Sequence, residues 1–269
     1  MGVNVDIQEI HSVLLNMLID FDTICRKHKL TYYMVGGTLL GAVRHNGFIP
    51  WDDDIDIGMP RPDYERFVNL AQTEFPDFLQ IWNLKKKSKG YTLNYSKLVN
   101  VNTSMVPIEY PDSVIGLFLD IFPIDGASKF ELLRKFQVKL IQYFQVLRYY
   151  KYSQKKKDFT LKSYLLRLLA VILSNNIHKA IERIITFYDY SASEFAGNLL
   201  GVYKIKEIVS KDVFGEPVEL EFEGHYFYAP QKYNLWLKNV YGNYMILPPL
   251  SQRNTTHEYE YVDLHRSCL

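Results

Sequence analysis

Between Tyr32 and Ile57 a short apolar run, Tyr32–Val35, stops at Gly36-Gly37, continues as a helix-compatible stretch Thr38–His45, turns at Asn46-Gly47 and returns as Asp54-Ile55-Asp56-Ile57. This order of strand, glycine pair, helix and acidic strand constrains the fold more than any other part of the chain. A strand period of two places Asp54 and Asp56 on one face and turns Ile55 and Ile57 into the core. Unpaired carboxylates crowded together repel, so the pair asks for a cation, and an oxygen-only donor set suits Mg²⁺ or Mn²⁺. The glycine pair lets a ligand phosphate approach backbone N–H groups at a helix start, where the partial positive charge favours anions. A third carboxylate, Asp120, is the only charge in the apolar run Val114–Ile124, and a buried lone carboxylate needs a metal or donors. A calcium-binding EF-hand loop is excluded: with Asp52 as its first position, Ile57 falls where the loop needs Gly and Asp63 where it needs Glu.

The rest of the chain reads as alternating helices and strands. Ile7, Ile10, Leu14, Met17, Leu18, Phe21 and Cys25 recur at helical spacing behind Asp6 and Glu9, which resemble a capping box. Pro60 to Pro62 opens a helix running to about Phe75, and Phe78–Leu84 and Tyr91–Val101 are strand candidates. From about Lys129 to Phe195 the pattern is helical, and its first part sets Leu132, Leu133, Phe136, Leu140, Ile141, Phe144 and Leu147 on one side with basic residues on the other. Val218, Leu220 and Phe222 alternate with glutamates before Gly224 and a return strand, a hairpin pattern, and a helix near Tyr233–Val240 follows. With no internal repeat and no long linker, the expected fold is α+β, a mixed sheet flanked by helices plus a helical insertion. The expected parts are a catalytic core over 1–128, a basic amphipathic helical region over 129–197, and a hairpin and helix over 198–269 that complete the core.

The segment GGTLLGAVRHNGFIPWDDDIDI resembles the signature of the LicD family, within the nucleotidyltransferase-fold superfamily that includes fukutin-like proteins. Gly116-Leu-Phe-Leu-Asp120-Ile-Phe-Pro-Ile-Asp125-Gly126 is similar to that family's third-carboxylate strand. Tyr241-Gly242-Asn243-Tyr244-Met245 with Pro248-Pro249 is similar to its carboxyl-terminal motif, with Asn243 where many relatives carry Asp. The resemblance implies a nucleotidyltransferase-like core, Mg²⁺ held by Asp54, Asp56 and Asp120, and transfer of phosphocholine from CDP-choline, or a similar CDP-alcohol, to a cell-surface glycan such as teichoic acid with release of CMP. An NTP-using nucleotidyltransferase is the enzymatic alternative, and a non-catalytic glycan-binding protein the other; a glycosyltransferase could also use Asp-x-Asp with a metal, but the glycine pair at a helix start argues against it.

Around this centre, Asp52 and Asp53 are candidates either to cap the strand entry or to serve as outer partners or a general base. Gly36, Gly37 and Thr38 at the helix start, with Arg44, His45 and Lys97, are candidates to bind the donor phosphates. Arg253 and His257 are candidates to close over the site, and Trp51 or a tyrosine could face a quaternary ammonium group.

Net charge is +1, yet Lys129–Ser174 holds 11 Lys or Arg against Glu131 and Asp158, which makes that segment +9. This suits a peripheral contact with an anionic membrane near a lipid-linked acceptor, and no nucleic-acid motif accompanies it. Two distant cysteines, Cys25 and Cys268, and an amino terminus without a leading basic cluster point to a cytoplasmic protein at the inner face of the cytoplasmic membrane.

Overall fold

A computed structural model describes residues 5–71, 73–84, 91–107, 114–152, 160–174, 176–253 and 259–269 of the chain. Helix α1 spans Ile7–Lys27; its N-cap is Asp6, whose carboxylate accepts the Gln8 N–H at 3.1 Å. The apolar positions read from the sequence, from Ile10 to Cys25, are the ones it buries. Strand β1 is Tyr33–Met34, helix α2 Gly36–His45, strand β2 Asp56–Pro60 and helix α3 Arg61–Leu70. Helix α2 ends at Asn46 in the left-handed conformation, a side chain type that tolerates it. Helix α3 stops five residues before the expected Phe75.

Strands β3 (Leu79–Trp82), β4 (Ser96–Asn100), β5 (Ser104–Pro107) and β6 (Phe118–Ala127) follow. The main sheet runs β1-β2-β6-β4-β3, with β2 and β6 parallel and the other neighbours antiparallel. The far half of β6 pairs instead with β7 (Phe195–Gly197), which pairs with β8 (Val209–Ser210), so the mixed sheet curls away from its first plane. Leu119, Ile121 and Ile124 are buried along the central β6, as its apolar composition requires.

Helices α4 (Glu131–Tyr152), α5 (Leu161–Leu173) and α6 (Asn176–Ile185) pack into a second apolar core that includes Ile141, Leu147, Ala170, Ile177 and Ile181. The stripe expected along α4 is buried only in its second half. Leu132 and Phe136 are 79% and 63% exposed; the first buried residue of α4 is Gln137, whose amide donates to the Ile184 carbonyl at 2.8 Å. Arg61 joins the two cores, holding Asp125 through two 2.6 Å hydrogen bonds and reaching Glu182 of α6 at 3.4 Å.

The expected hairpin is β9 (Val218–Phe222) with β10 (His225–Ala229), turned by Glu223 and Gly224, both at positive φ, the geometry of a two-residue turn that matches strand twist. Helix α7 (Tyr233–Tyr241) and strand β11 (Tyr259–Asp263) end the fold, β11 pairing antiparallel with β5. The fold is thus α+β, a curled mixed sheet flanked by helices.

Candidate active site

The parallel register of β2 and β6 sets Asp56 directly opposite Asp120, and the antiparallel register of β6 and β4 sets Asp120 opposite Lys97. Residues paired across neighbouring strands point to the same side of a sheet, so the three form one charged row across its centre. Lys97 Nζ donates to Asp120 Oδ1 at 2.5 Å and sits 3.2 Å from the centre of the Phe118 ring. Burial lowers the Lys97 pKa, and the neighbouring Asp120 opposes that shift.

Asp54 lies in the loop one turn of the pleat before β2, not inside the strand, but Ile55 and Ile57 are buried on the expected face. Carboxylate oxygens of Asp52, Asp53 and Asp54 all lie within 4.8 Å of one another. Asp56 is packed among these groups. Burial, followed by the charges of Asp54, Asp120 and Asp52, pushes its carboxyl well above the usual carboxylate range. Such crowding is what a hard divalent cation relieves, and the donors are all oxygens, so the residues fit Mg²⁺ or Mn²⁺. The sequence leaves Asp52 and Asp53 open between capping the strand entry, an outer-partner role and a general base; the structure gathers both carboxylates with that of Asp54.

The glycine pair owes its identity to these carboxylates. Gly36 has φ +57, and a Cβ on it would lie 2.2 Å from Asp56 Oδ2; a Cβ on Gly37 would lie 2.3 Å from Asp52 Oδ2. The start of α2 therefore presses its backbone against the acidic cluster. Thr38 is buried behind it, and its Oγ1 accepts the Asp56 N–H at 2.8 Å, so it positions Asp56 from behind.

Gly36, Gly37, Asp52, Asp54, Asp56 and Asp120 line one side of a cleft of about 1510 Å³. Arg44 and Trp51 also line it; Arg44 donates to the Tyr244 carbonyl at 3.0 Å and to His45 Nε2 at 3.0 Å. His45 is thereby an acceptor, and burial followed by the Arg44 charge lowers its pKa. His45 and Lys97 do not border the cleft, and neither does Asp53, which is buried and hydrogen-bonded to Tyr259 of β11. The Arg253 guanidinium stands 5.4 Å from the Trp51 ring centre at the cleft edge, and His257 lies outside the described residues.

Two contributors carry no sequence signal. His11, on α1, is stacked on Phe48 at 3.9 Å and sits 2.7 Å from the Asp52 carbonyl, bracing the acidic loop. Glu207 is buried in the cleft wall, accepts the Tyr203 N–H at 2.9 Å, and is raised to about 7, chiefly by burial. Asn243, from the carboxyl-terminal motif, also lines the cleft.

Residues 29–131, which carry both glycines and every aspartate of the cluster, match the family model described as LicD/FKTN/FKRP, nucleotidyltransferase domain. The chain carries a LicD-family domain. Over most of its length the chain is 29% identical, across 258 residues, 93% of its length and 96% of the relative's, to the lipopolysaccharide cholinephosphotransferase LicD of Haemophilus influenzae. It is 30% identical over 84 residues, 30% of its length and 17% of the relative's, to the human ribitol 5-phosphate transferase FKRP. An uncharacterized protein of Rickettsia prowazekii, RP689, is 38% identical over 88 residues, 33% of this chain and 29% of that one.

Proposed function

We propose that the chain is a divalent-metal-dependent phosphotransferase that moves phosphocholine, or a related phosphoalcohol, from a CDP-activated donor to a hydroxyl of a cell-surface glycan precursor and releases CMP. The observation that carries this reading is the contact of the Gly36-Gly37 backbone with the carboxylates of Asp56 and Asp52, which puts phosphate-binding N–H groups and cation-binding oxygens against each other. The similarity to a cholinephosphotransferase over nearly the whole of both chains supports the transferred group.

In this reading Asp54, Asp56 and Asp120, joined by Asp52, hold Mg²⁺ or Mn²⁺, which when bound supplies charge neutralisation at the donor phosphates and the leaving CMP. The N–H groups at the start of α2 bind a phosphate with the helix dipole behind them. Arg44, fixed by the Tyr244 carbonyl, offers a guanidinium on the same cleft wall. Lys97 acts on Asp120 from within the sheet and holds its carboxylate in place, a positioning role in place of direct phosphate binding. Thr38 does the same for Asp56 through its backbone.

The sheet serves as a nucleotidyltransferase-like core over 1–128, completed by 198–269, with 129–197 as the insertion. The acceptor is a lipid-linked precursor of lipopolysaccharide, teichoic acid or a related glycan at the inner face of the cytoplasmic membrane. Purified protein incubated with CDP-choline, CDP-ribitol or CDP-glycerol, Mg²⁺ and acceptor tests the reading by CMP release. Pyrophosphate release from an NTP would assign nucleotidyl transfer in its place.

A further inference from the structure

Helix α5 is apolar on both sides. Its inner face, Leu166, Leu169, Ala170 and Leu173, packs into the core it shares with α4 and α6. Its outer face carries Leu161, Leu165, Leu168 and Ile172 at helical spacing, with Tyr164 and Val171 beside them. Leu161, Val171 and Ile172 are 76%, 67% and 68% exposed. A helix apolar all round is ordinarily covered all round, and a contiguous exposed apolar face marks a surface that meets something. At 13 residues the helix is about 20 Å long, short of the roughly 30 Å hydrocarbon core of a bilayer, and no helix of the described residues is long and apolar enough to cross one.

Charge decides between the occupants such a face could take. The segment 129–174 holds 11 Lys or Arg against Glu131 and Asp158. A symmetric contact between two copies through α5 would bring two such basic segments together, which costs Coulomb energy, whereas an anionic lipid surface neutralises them. We propose that α5 is an interfacial helix that seats its outer face at the headgroup boundary of an anionic bilayer, with its exposed Lys162 toward the lipid phosphates and the net positive charge of 129–174 favouring that surface. Helix α4, which packs against α5, also lines the reaction cleft with Gln145 and Arg148. The docked chain therefore keeps its cleft near the lipid surface, where the lipid-linked acceptor of the proposed function is presented. Docking needs neither donor nor metal, so its failure and the failure of the transfer reaction are read separately.

Flotation of the full chain with vesicles of mixed phosphatidylglycerol and phosphatidylcholine, against vesicles of phosphatidylcholine alone, tests the proposal. Wild type is expected to float with the anionic vesicles, and the Leu165→Glu/Ile172→Glu variant, with its melting temperature kept, to lose roughly tenfold or more of the bound fraction. The single Val171→Asp variant, which changes one highly exposed side chain, should lose binding in the same direction and guards against misfolding of the double variant. No flotation of wild type with anionic vesicles, or equal flotation of wild type and both variants, overturns the proposal. A wild-type dimer in sedimentation that the double variant splits into monomers overturns it in favour of a second copy.

Discussion

A methyl group on the α-carbon of Gly36 would stand 2.2 Å from Oδ2 of Asp56, a carboxylate whose own strand position is fixed by its register with Asp120. The aspartate cannot retreat without leaving the row, and Gly36 already sits at φ +57, where a Cβ costs about 1–2 kcal/mol. Gly36→Ala is therefore expected to lower CMP release by roughly 100-fold, the scale of a 1 Å misplacement at a reacting centre. Gly224→Ala, at φ +75 with nothing within 4 Å of its Cβ, carries the backbone strain alone. It should lower thermal stability by a similar amount and leave activity intact; equal losses of activity in the two variants would refute the contact's role.

The crowding around Asp56 predicts opposite effects on fold and function. Asp56→Asn removes a charge that burial and Asp54 hold unfavourable, so the metal-free melting temperature should stay level or rise. Turnover should be abolished, and the rise in melting temperature that Mg²⁺ gives wild type should vanish. Asp120→Asn should lose the same metal response. A variant melting markedly lower without metal, with Mg²⁺ stabilisation retained, would refute this account of the cluster.

Lys97 and Asp120 form a buried pair at 2.5 Å, with side chains 9% and 8% exposed. Lys97→Met leaves the carboxylate without its cation and should destabilise by about 3–5 kcal/mol, while Lys97→Met with Asp120→Asn should recover much of that loss. Denaturant unfolding of the two single variants and the double measures the coupling. Additive losses would show that the pair does not act as a unit.

Glu207 sets a pH dependence. Its folded pKa, about 7, lies above its ordinary value of 4.5, so the fold binds that proton more tightly than the unfolded chain does. Its contribution is full below about 4.5, is lost as pH rises toward 7, and is flat beyond, a change of roughly 3 kcal/mol. Unfolding free energies measured from pH 4.5 to 8 should show this fall in wild type, and Glu207→Gln should remove it. Parallel curves would mean that Glu207 does not titrate in this window.

The sequence made the centre of the site legible because its chemistry is local. Gly36, Gly37, Asp54 and Asp56 lie within 21 consecutive residues, and a strand period of two is enough to pair the last two on one face. Asp120 was legible because a charge inside an apolar strand is costly and therefore conspicuous. What stayed hidden depends on register. Lys97 reads as a cation near the donor, but the pairing of β4 with β6 spends it on Asp120. Strands β5 and β11 stand more than 150 residues apart and are short, so neither has a pattern that announces its partner. Glu207 falls in a polar stretch of Lys and Glu, and only the folding of 198–207 over the cleft buries it. The first half of the α4 stripe misleads for the opposite reason: Leu132 and Phe136 repeat at helical spacing yet stay exposed, since an apolar periodicity reports that a face is apolar and not that the fold covers it.

Phosphorus NMR of one reaction tests the central claim most directly. Purified chain with CDP-choline, Mg²⁺ and a lipid-linked glycan acceptor should convert the pyrophosphate signals of the donor into CMP and a new phosphodiester on the acceptor, and chelation of the metal or Asp56→Asn should stop both. An acceptor that gains CMP with release of phosphocholine, or a donor left intact under all three CDP-alcohols while an NTP yields pyrophosphate, would contradict it.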